Sequence, residues 1–261
     1  MSEIPGDARL EEPLCPLGEV APPVYGVRRR SALAFALLAL LALLGAAAPA
    51  PGARSGPADA ADRARLAAGE TVTELREVPG HRVGEAAAWR ILDAPAGRLL
   101  RAVADWPSYP EFFPFVVAAT ARAEAAGRTT FRHTVDLPFP FPDRSFAAVA
   151  EAAVVEEGPD GRALVLRWTI RREASGFADQ RGSWTLREVA PGRTRVELRV
   201  ASDAGEDVPA AFQRRVAERT LRWALDGLRQ HVRRCRYDVP RPDGCTETPA
   251  FPPPTGTAAA R

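Results

Sequence analysis

The sequence predicts an α+β fold: a curved antiparallel sheet wrapped around a long C-terminal helix, with two short helices after the first strand. Three observations carry this. Residues 115–202 read as a succession of alternating strands separated by glycine and proline turns. An amphipathic stretch of helical period runs from Pro209 to Arg234. Between the first strands and the long run of alternation, Asp93-Ala94-Pro95 opens a helix and Asp105-Trp106-Pro107 stops it.

The elements follow in order. Thr71–Val78 and Gly84–Asp93 alternate as the first two strands. Residues 95–104 place Leu99, Leu100 and Val103 on one helical face, and SYPEFF (108–113) reads as a second short turn of helix. Further strands are expected at 115–126, 129–137, 144–156, 162–173, 179–189 and 193–202, with turns at Gly127-Arg128, Gly158–Gly161 and Pro191-Gly192. Leu164, Leu166, Trp168 and Ile170 share one strand face, while Val165, Arg167, Thr169 and Arg171 share the other. Val196, Leu198 and Val200 alternate likewise against Arg195, Glu197 and Arg199, so the sheet has one apolar face and one charged face. In the helix, Phe212, Val216, Leu221, Ala224, Leu228 and Val232 lie on one side, and Arg214, Glu218, Arg222, Asp226, Arg229 and Arg233 on the other. Arg229, Arg233, Arg234 and Arg236 crowd its C-terminal end, where the helix dipole favours cations, and read as a solvated helix end. A helix of about 39 Å can cross a bent sheet but cannot fill a wide concavity. An internal, mostly apolar cavity is therefore expected between them.

Composition excludes several classes of function. All 35 basic residues are arginine, and the chain has neither lysine nor asparagine, which removes Schiff-base and P-loop lysine chemistry and N-glycosylation. A net charge of +2 argues against a nucleic-acid coat, so no nucleic-acid partner is expected. The three histidines, His81, His133 and His231, are far apart in sequence and there is no C-x-x-C, so neither metal nor cofactor is implied.

The chain divides by composition. Residues 1–27 form a long leading segment or reflect a start downstream. Arg28-Arg29-Arg30 and the uncharged run Ser31–Ala48 (28–48) describe a signal peptide or signal anchor. By the positive-inside rule the remainder is exported, to the periplasm or beyond the cell, with residues 31–48 as the segment for any inner-membrane association. Residues 49–69 read as a linker and short helix, 70–236 as the folded domain, and 237–261 as a Pro-rich disordered tail. Cys235 and Cys245 are the cysteines of the exported part and are expected to pair, with two free thiols as the alternative.

Three stretches carry a family resemblance: Asp93-Ala94-Pro95 with RLLRAVADWPSYPEFFPFV (98–117), LPFPFPDRSF (137–146), and GSWTLREVAPGRTRVELRV (182–200) followed by the amphipathic helix. In this order and spacing the chain resembles the START-like (SRPBCC) superfamily, within it the bacterial polyketide-cyclase and coenzyme-Q-binding group, over roughly 70–236. Leu99-Leu100 departs from a frequent Val-Trp, a matter of local packing. The resemblance implies the helix-grip (START/Bet v 1-like) fold, and an apolar small-molecule ligand such as a lipid, an isoprenoid quinone or a hopanoid or sterol-like compound.

The candidate ligand contacts are Phe131, His133, Leu166, Trp168, Trp184, Arg144, Phe212 and Val216. His133 stands between apolar strand-mates, so it is expected on the cavity side, satisfied by backbone, bonding a ligand carbonyl or acting as acid/base. Trp168 and Trp184 alternate with apolar residues and read as core or ligand contacts. Arg144 resembles part of a structural lock, with Asp143 the near carboxylate, or else anchors a ligand. Phe139, Phe141 and Phe177 fall in loops, as a gate or as plugs. The first expectation is a non-enzymatic binder or carrier. The alternatives are a cyclase/dehydratase using His133 with an arginine to polarise a carbonyl, and an interaction module with a filled core.

Overall fold

The computed structural model describes residues 60–249, apart from 159–160, 173–174 and 241. The expectations for the leading segment, the apolar run 31–48, most of the linker and the end of the tail lie outside the described residues. No helix among the described residues is long and apolar enough to cross a membrane.

Helix α1 (Ala60–Ala67) leads into β1 (Val72–Arg76) and β2 (Glu85–Leu92), which form a hairpin. Helix α2 (Ala96–Ala104) and a 3-10 helix (Trp106–Glu111) follow, then β3 (Val116–Ala123), β4 (Thr129–Val135), β5 (Arg144–Ala150), β6 (Val154–Gly158), β7 (Gly161–Arg171), β8 (Asp179–Ala190) and β9 (Arg193–Asp203). Helix α3 (Ala210–His231) and a short 3-10 turn (Cys235–Tyr237) complete the described elements. The nine strands form one antiparallel sheet of order β1-β2-β9-β8-β7-β5-β4-β3, with β6 paired on β7 beside that path. The last strand thus docks on the first hairpin, and the fold is the expected α+β helix-grip arrangement.

The alternation read from sequence sets the two faces of the sheet. On β7, Leu166 and Trp168 are buried while Arg167 and Thr169 are exposed; on β9, Thr194, Val196 and Leu198 are fully buried. Gly192 closes the β8–β9 hairpin at φ 69°, a left-handed conformation that glycine adopts without a Cβ penalty.

Four expectations need correction. The two short helices follow the second strand, because β1 and β2 pair before the chain leaves the sheet. The folded domain does not begin at 70: Leu66 of α1 is buried with Val72, Ala87 and Trp89 in a second, smaller core cluster. The candidate strand 144–156 is two strands. Ala150 pairs with Trp168 and Val154 with Val165, so residues 151–153 stand opposite 166–167 and one residue is in excess. Such an insertion bends and twists a sheet, which deepens its concavity. The basic end of the long helix is not simply solvated. Arg236 is 8% exposed and donates to both carboxylate oxygens of Glu111, at 3.2 and 3.1 Å.

Helix α3 buries Leu221, Ala224, Leu225, Leu228 and His231. Two residues expected in solvent instead tie it to the β2 side. Arg214 donates to the carbonyls of Val83 (2.8 Å) and Arg82 (3.1 Å), and Asp226 pairs with Arg90. Gly227 faces the backbone of Phe112, and a Cβ there would lie 2.3 Å from the Phe112 carbonyl oxygen. No side chain fits this seam. Beyond α3, the fully buried Tyr237 donates its hydroxyl hydrogen to Asp105 (2.9 Å) and lies 2.7 Å from His231 Nε2, while Ser108 Oγ donates to the Asp105 carbonyl (2.7 Å). The domain therefore extends past 236.

Cys235 and Cys245 form a disulfide with a Cα–Cα distance of 5.9 Å, which ties residues 242–249 back to the end of α3. The loop it closes is short, with a sequence separation of 10. Chain entropy then gives about 3 kcal/mol. Reduction is expected to lower the urea midpoint accordingly, checked by paired melts with and without reductant; an unchanged midpoint would contradict it.

Candidate functional site

Between the concave face and the N-terminal half of α3 lies a cavity of about 160 Å³. Sheet residues Phe131, His133, Phe146 and Trp168 line it from below. Trp106 and Tyr109 close one end, carried there by the 3-10 helix that the Asp105-Trp106-Pro107 break initiates. Phe212, Val216 and Leu221 of α3 form the roof. The aromatic rings fix one another: Trp106 stacks on Phe131 (centroids 4.0 Å, 2° between planes) and meets Trp168 edge-on at 5.9 Å. Offset and edge-on pairs of this kind add to area burial and make a stiff wall.

The mouth is built by residues 113–116 and 136–138. Phe115 holds φ 67°, an uncommon and strained conformation for a bulky residue. Its carbonyl accepts from the Asp136 backbone N–H at 2.8 Å, and its ring lies 6.1 Å from Trp223 of α3. Of the loop aromatics, Phe177 is buried in the cavity wall, Phe141 packs on Phe212 at 5.6 Å, and Phe139 stands 87% exposed. They divide between plug and rim.

His133 is the titratable side chain deepest in this wall, 3% exposed. Burial lowers its pKa to about 3, opposed by a hydrogen bond to the Trp106 backbone. The imidazole is therefore neutral near pH 7. No protein group among the described residues bonds its Nε2. Gln180, at the start of β8, also lines the cavity and has a buried Oε1 without a protein partner.

Of the residues expected to meet a ligand, Phe131, His133, Trp168, Phe212 and Val216 come together here. Trp184 and Leu166 do not line the cavity. Both lie on the concave face, paired in register across β7 and β8, but α2 packs over these strands and fills the concavity at that end. Trp184 is 0% exposed and donates its indole N–H to Tyr109 Oη at 2.9 Å. Arg144 is not a cavity residue either. Its guanidinium donates to the carbonyls of Ala204 and Gly176 and pairs with Asp207, not with Asp143, which is exposed. It clamps the start of β5 to the loop before α3.

Sequence reasoning missed Trp106, Tyr109, Phe146 and Gln180. The first two stand in DWPSY, where local helix geometry gives no sign of what the rings face. Among the described residues no three metal-ligating side chains converge.

The comparisons with known proteins agree with this geometry. A family model described as polyketide cyclase / dehydrase and lipid transport matches residues 92–229. Solved structures that share the fold include the following two. One is a STAR-related lipid transfer protein fragment from Xanthomonas axonopodis, with 20% identity, TM-score 0.54, and coverage of 62% of this chain and 93% of that one. The other is human STARD10, with 10% identity, TM-score 0.51, and coverage of 62% and 69%. No curated protein sequence matches the chain.

Proposed function

Because the chain belongs to the polyketide cyclase / dehydrase and lipid transport family, we propose that it binds or carries an apolar small molecule without transforming it. The observation that carries this is the cavity, whose wall is aromatic and aliphatic with one neutral imidazole set into it. The family description, which includes lipid transport, and the STAR-related lipid transfer protein fragment with the same fold support the ligand class. An enclosed apolar space of about 150 Å³ holds a benzene-sized molecule. This cavity therefore takes one ring or the end of a chain as it stands. A whole lipid requires α3 and the mouth residues to separate, or leaves part of itself outside. Burying about 150 Å² of ligand would contribute roughly 4 kcal/mol before the costs of association.

The cyclase alternative is weaker on two counts. A histidine with its pKa lowered to about 3 is a poor proton donor near neutrality. No arginine lines the cavity among the described residues to polarise a carbonyl.

We place the protein outside the cytoplasm, in the periplasm or secreted, with residues 31–48 as signal or inner-membrane anchor. The disulfide supports this, since such bonds persist in oxidising compartments. The intact mass of the protein from its own host tests it: a chain beginning near residue 48 means cleavage and export, and a full-length reduced chain in the cytoplasm refutes it.

Native mass spectrometry of the protein from its own host, with organic extraction, tests the carrier reading. A stoichiometric adduct is expected. Val216→Phe adds a ring to the roof and is expected to reduce occupancy at least tenfold while the far-ultraviolet dichroism is unchanged. Undiminished occupancy in that variant would move the ligand elsewhere.

A further inference from the structure

We infer that the rim of the cavity mouth and the outward side of α3 form a docking surface for an anionic lipid bilayer. The inference uses the position of the mouth and not its contents, so it stands apart from the carrier reading. Two bare aromatic rings flank the mouth. Phe139, one residue beyond the cavity-lining Pro138, is 87% exposed. Trp223 is 44% exposed, and its ring lies 6.1 Å from that of Phe115, another lining residue. The segments of Phe115 and Phe139 meet at the mouth, where the Asp136 backbone N–H donates to the Phe115 carbonyl at 2.8 Å.

Cations stand beside these rings. Arg215, Arg219 and Trp223 follow at intervals of four on α3 and line one edge of the helix, with Arg222 and Arg229 next to that row. All four arginines are exposed, and among the described residues none of them is held in an ion pair. The Arg219 guanidinium instead lies 5.8 Å from the centre of the Trp223 ring. Of the two carboxylates of α3, Asp226 pairs with Arg90, which leaves Glu218 against the four arginines. With the exposed Asp136 of the mouth included, the surface keeps a net positive charge. A nucleic acid or an acidic peptide neutralises the arginines but leaves Phe139 in water. A purely apolar partner covers the rings but strands the cations. An anionic leaflet takes both: its phosphates pair with the guanidinium groups, the Trp223 ring sits at headgroup level, and Phe139 enters the acyl boundary.

The test reads Trp223 directly. Trp89, Trp106, Trp168 and Trp184 are buried, so acrylamide quenching of the full chain reports chiefly on Trp223. Vesicles of three parts phosphatidylcholine to one part phosphatidylglycerol are expected to lower the quenching constant at least threefold, and raised salt is expected to restore it. Pure phosphatidylcholine vesicles are expected to leave it unchanged. A tether through residues 31–48 alone would act on both kinds of vesicle and leave Trp223 in water. Each arginine near an anionic surface multiplies affinity about fivefold, so replacing Arg215, Arg219 and Arg222 together with glutamine is expected to weaken the effect about a hundredfold. Trp223 quenched equally with and without anionic vesicles would overturn the inference, as would equal protection by neutral vesicles. Equal protection by soluble polyglutamate would overturn it in favour of an acidic protein partner. These comparisons need no variant, so they decide even if the triple variant misfolds. Protection undiminished in a folded triple variant would overturn the assignment to α3. None of these results touches ligand occupancy, which tests the carrier reading separately.

Discussion

Acidification from pH 6.5 to 5 is expected to remove about 3 kcal/mol of folding stability, through two buried imidazoles. Burial lowers both His133 and His231 to about 3, and Arg236 and Arg234 add to the effect at His231. In the unfolded chain each ring titrates near 6.5. Between those values the unfolded state holds more protons, so stability is complete above pH 6.5 and declines as the pH falls toward 3. Each ring contributes a slope of about 1.4 kcal/mol per pH unit once the unfolded form is protonated. Against a typical total of 5–15 kcal/mol this is a large share. The Glu111 carboxylate, 3.7 Å from His231 Nδ1, is the one acidic group in the described contacts of that ring at this range. Urea melts at half-unit steps from pH 7.5 to 5 measure the slope. His133→Leu is expected to halve it, and an unaltered slope in that variant would show that the ring is not held neutral.

The second large effect is at Trp184, where truncation to alanine is expected to cost about 4 kcal/mol, as for other fully buried aromatic side chains. The indole is enclosed beneath α2, and its N–H reaches Tyr109 Oη, so removal opens a void and strips a bond from a cavity residue. Trp168→Ala makes the informative contrast. It enlarges the ligand cavity as well as weakening the core, so ligand preference should shift toward larger molecules. Equilibrium denaturation of the two variants, with ligand titration of whichever is folded, separates the roles. A loss below about 1 kcal/mol in Trp184→Ala would mean that the neighbouring chain collapses into the gap.

These two tryptophans also mark how far the sequence could be read. Both alternate with apolar residues, and both faced the concave side as expected. Period-2 spacing reports which face a side chain takes and nothing about what lies above it. The occupant over Trp184 is α2, some 80 residues earlier in the chain. The same limit explains Arg144. Its need for a carboxylate was legible, but the partner stands in the loop before α3 at Asp207, and nearness in sequence pointed to Asp143. The succession of strands along the chain, the long helix and the expectation of a cavity followed from local pattern together with the family resemblance, while the docking of β9 on β2 did not. The excess residue at 151–153 did not, because a bulge is set by pairing with a partner strand. His231 looked isolated among the three histidines. Its partners Ser108 and Tyr237 come from the 3-10 helix and the final turn, which meet only in the folded chain.

The contact of Gly227 with the Phe112 carbonyl gives α3 a fulcrum. Backbone rests on backbone there, with no side chain to yield. On the far side of that point the helix end is moored by Tyr237, Arg236 and the Cys235–Cys245 bridge. The residues that roof the cavity, Phe212, Val216 and Leu221, all lie on the other arm. That arm is tied in its turn by Arg214 to the carbonyls of Val83 and Arg82 and by Gln213 to the loop before it, so the roof lifts from its fulcrum only where those bonds give.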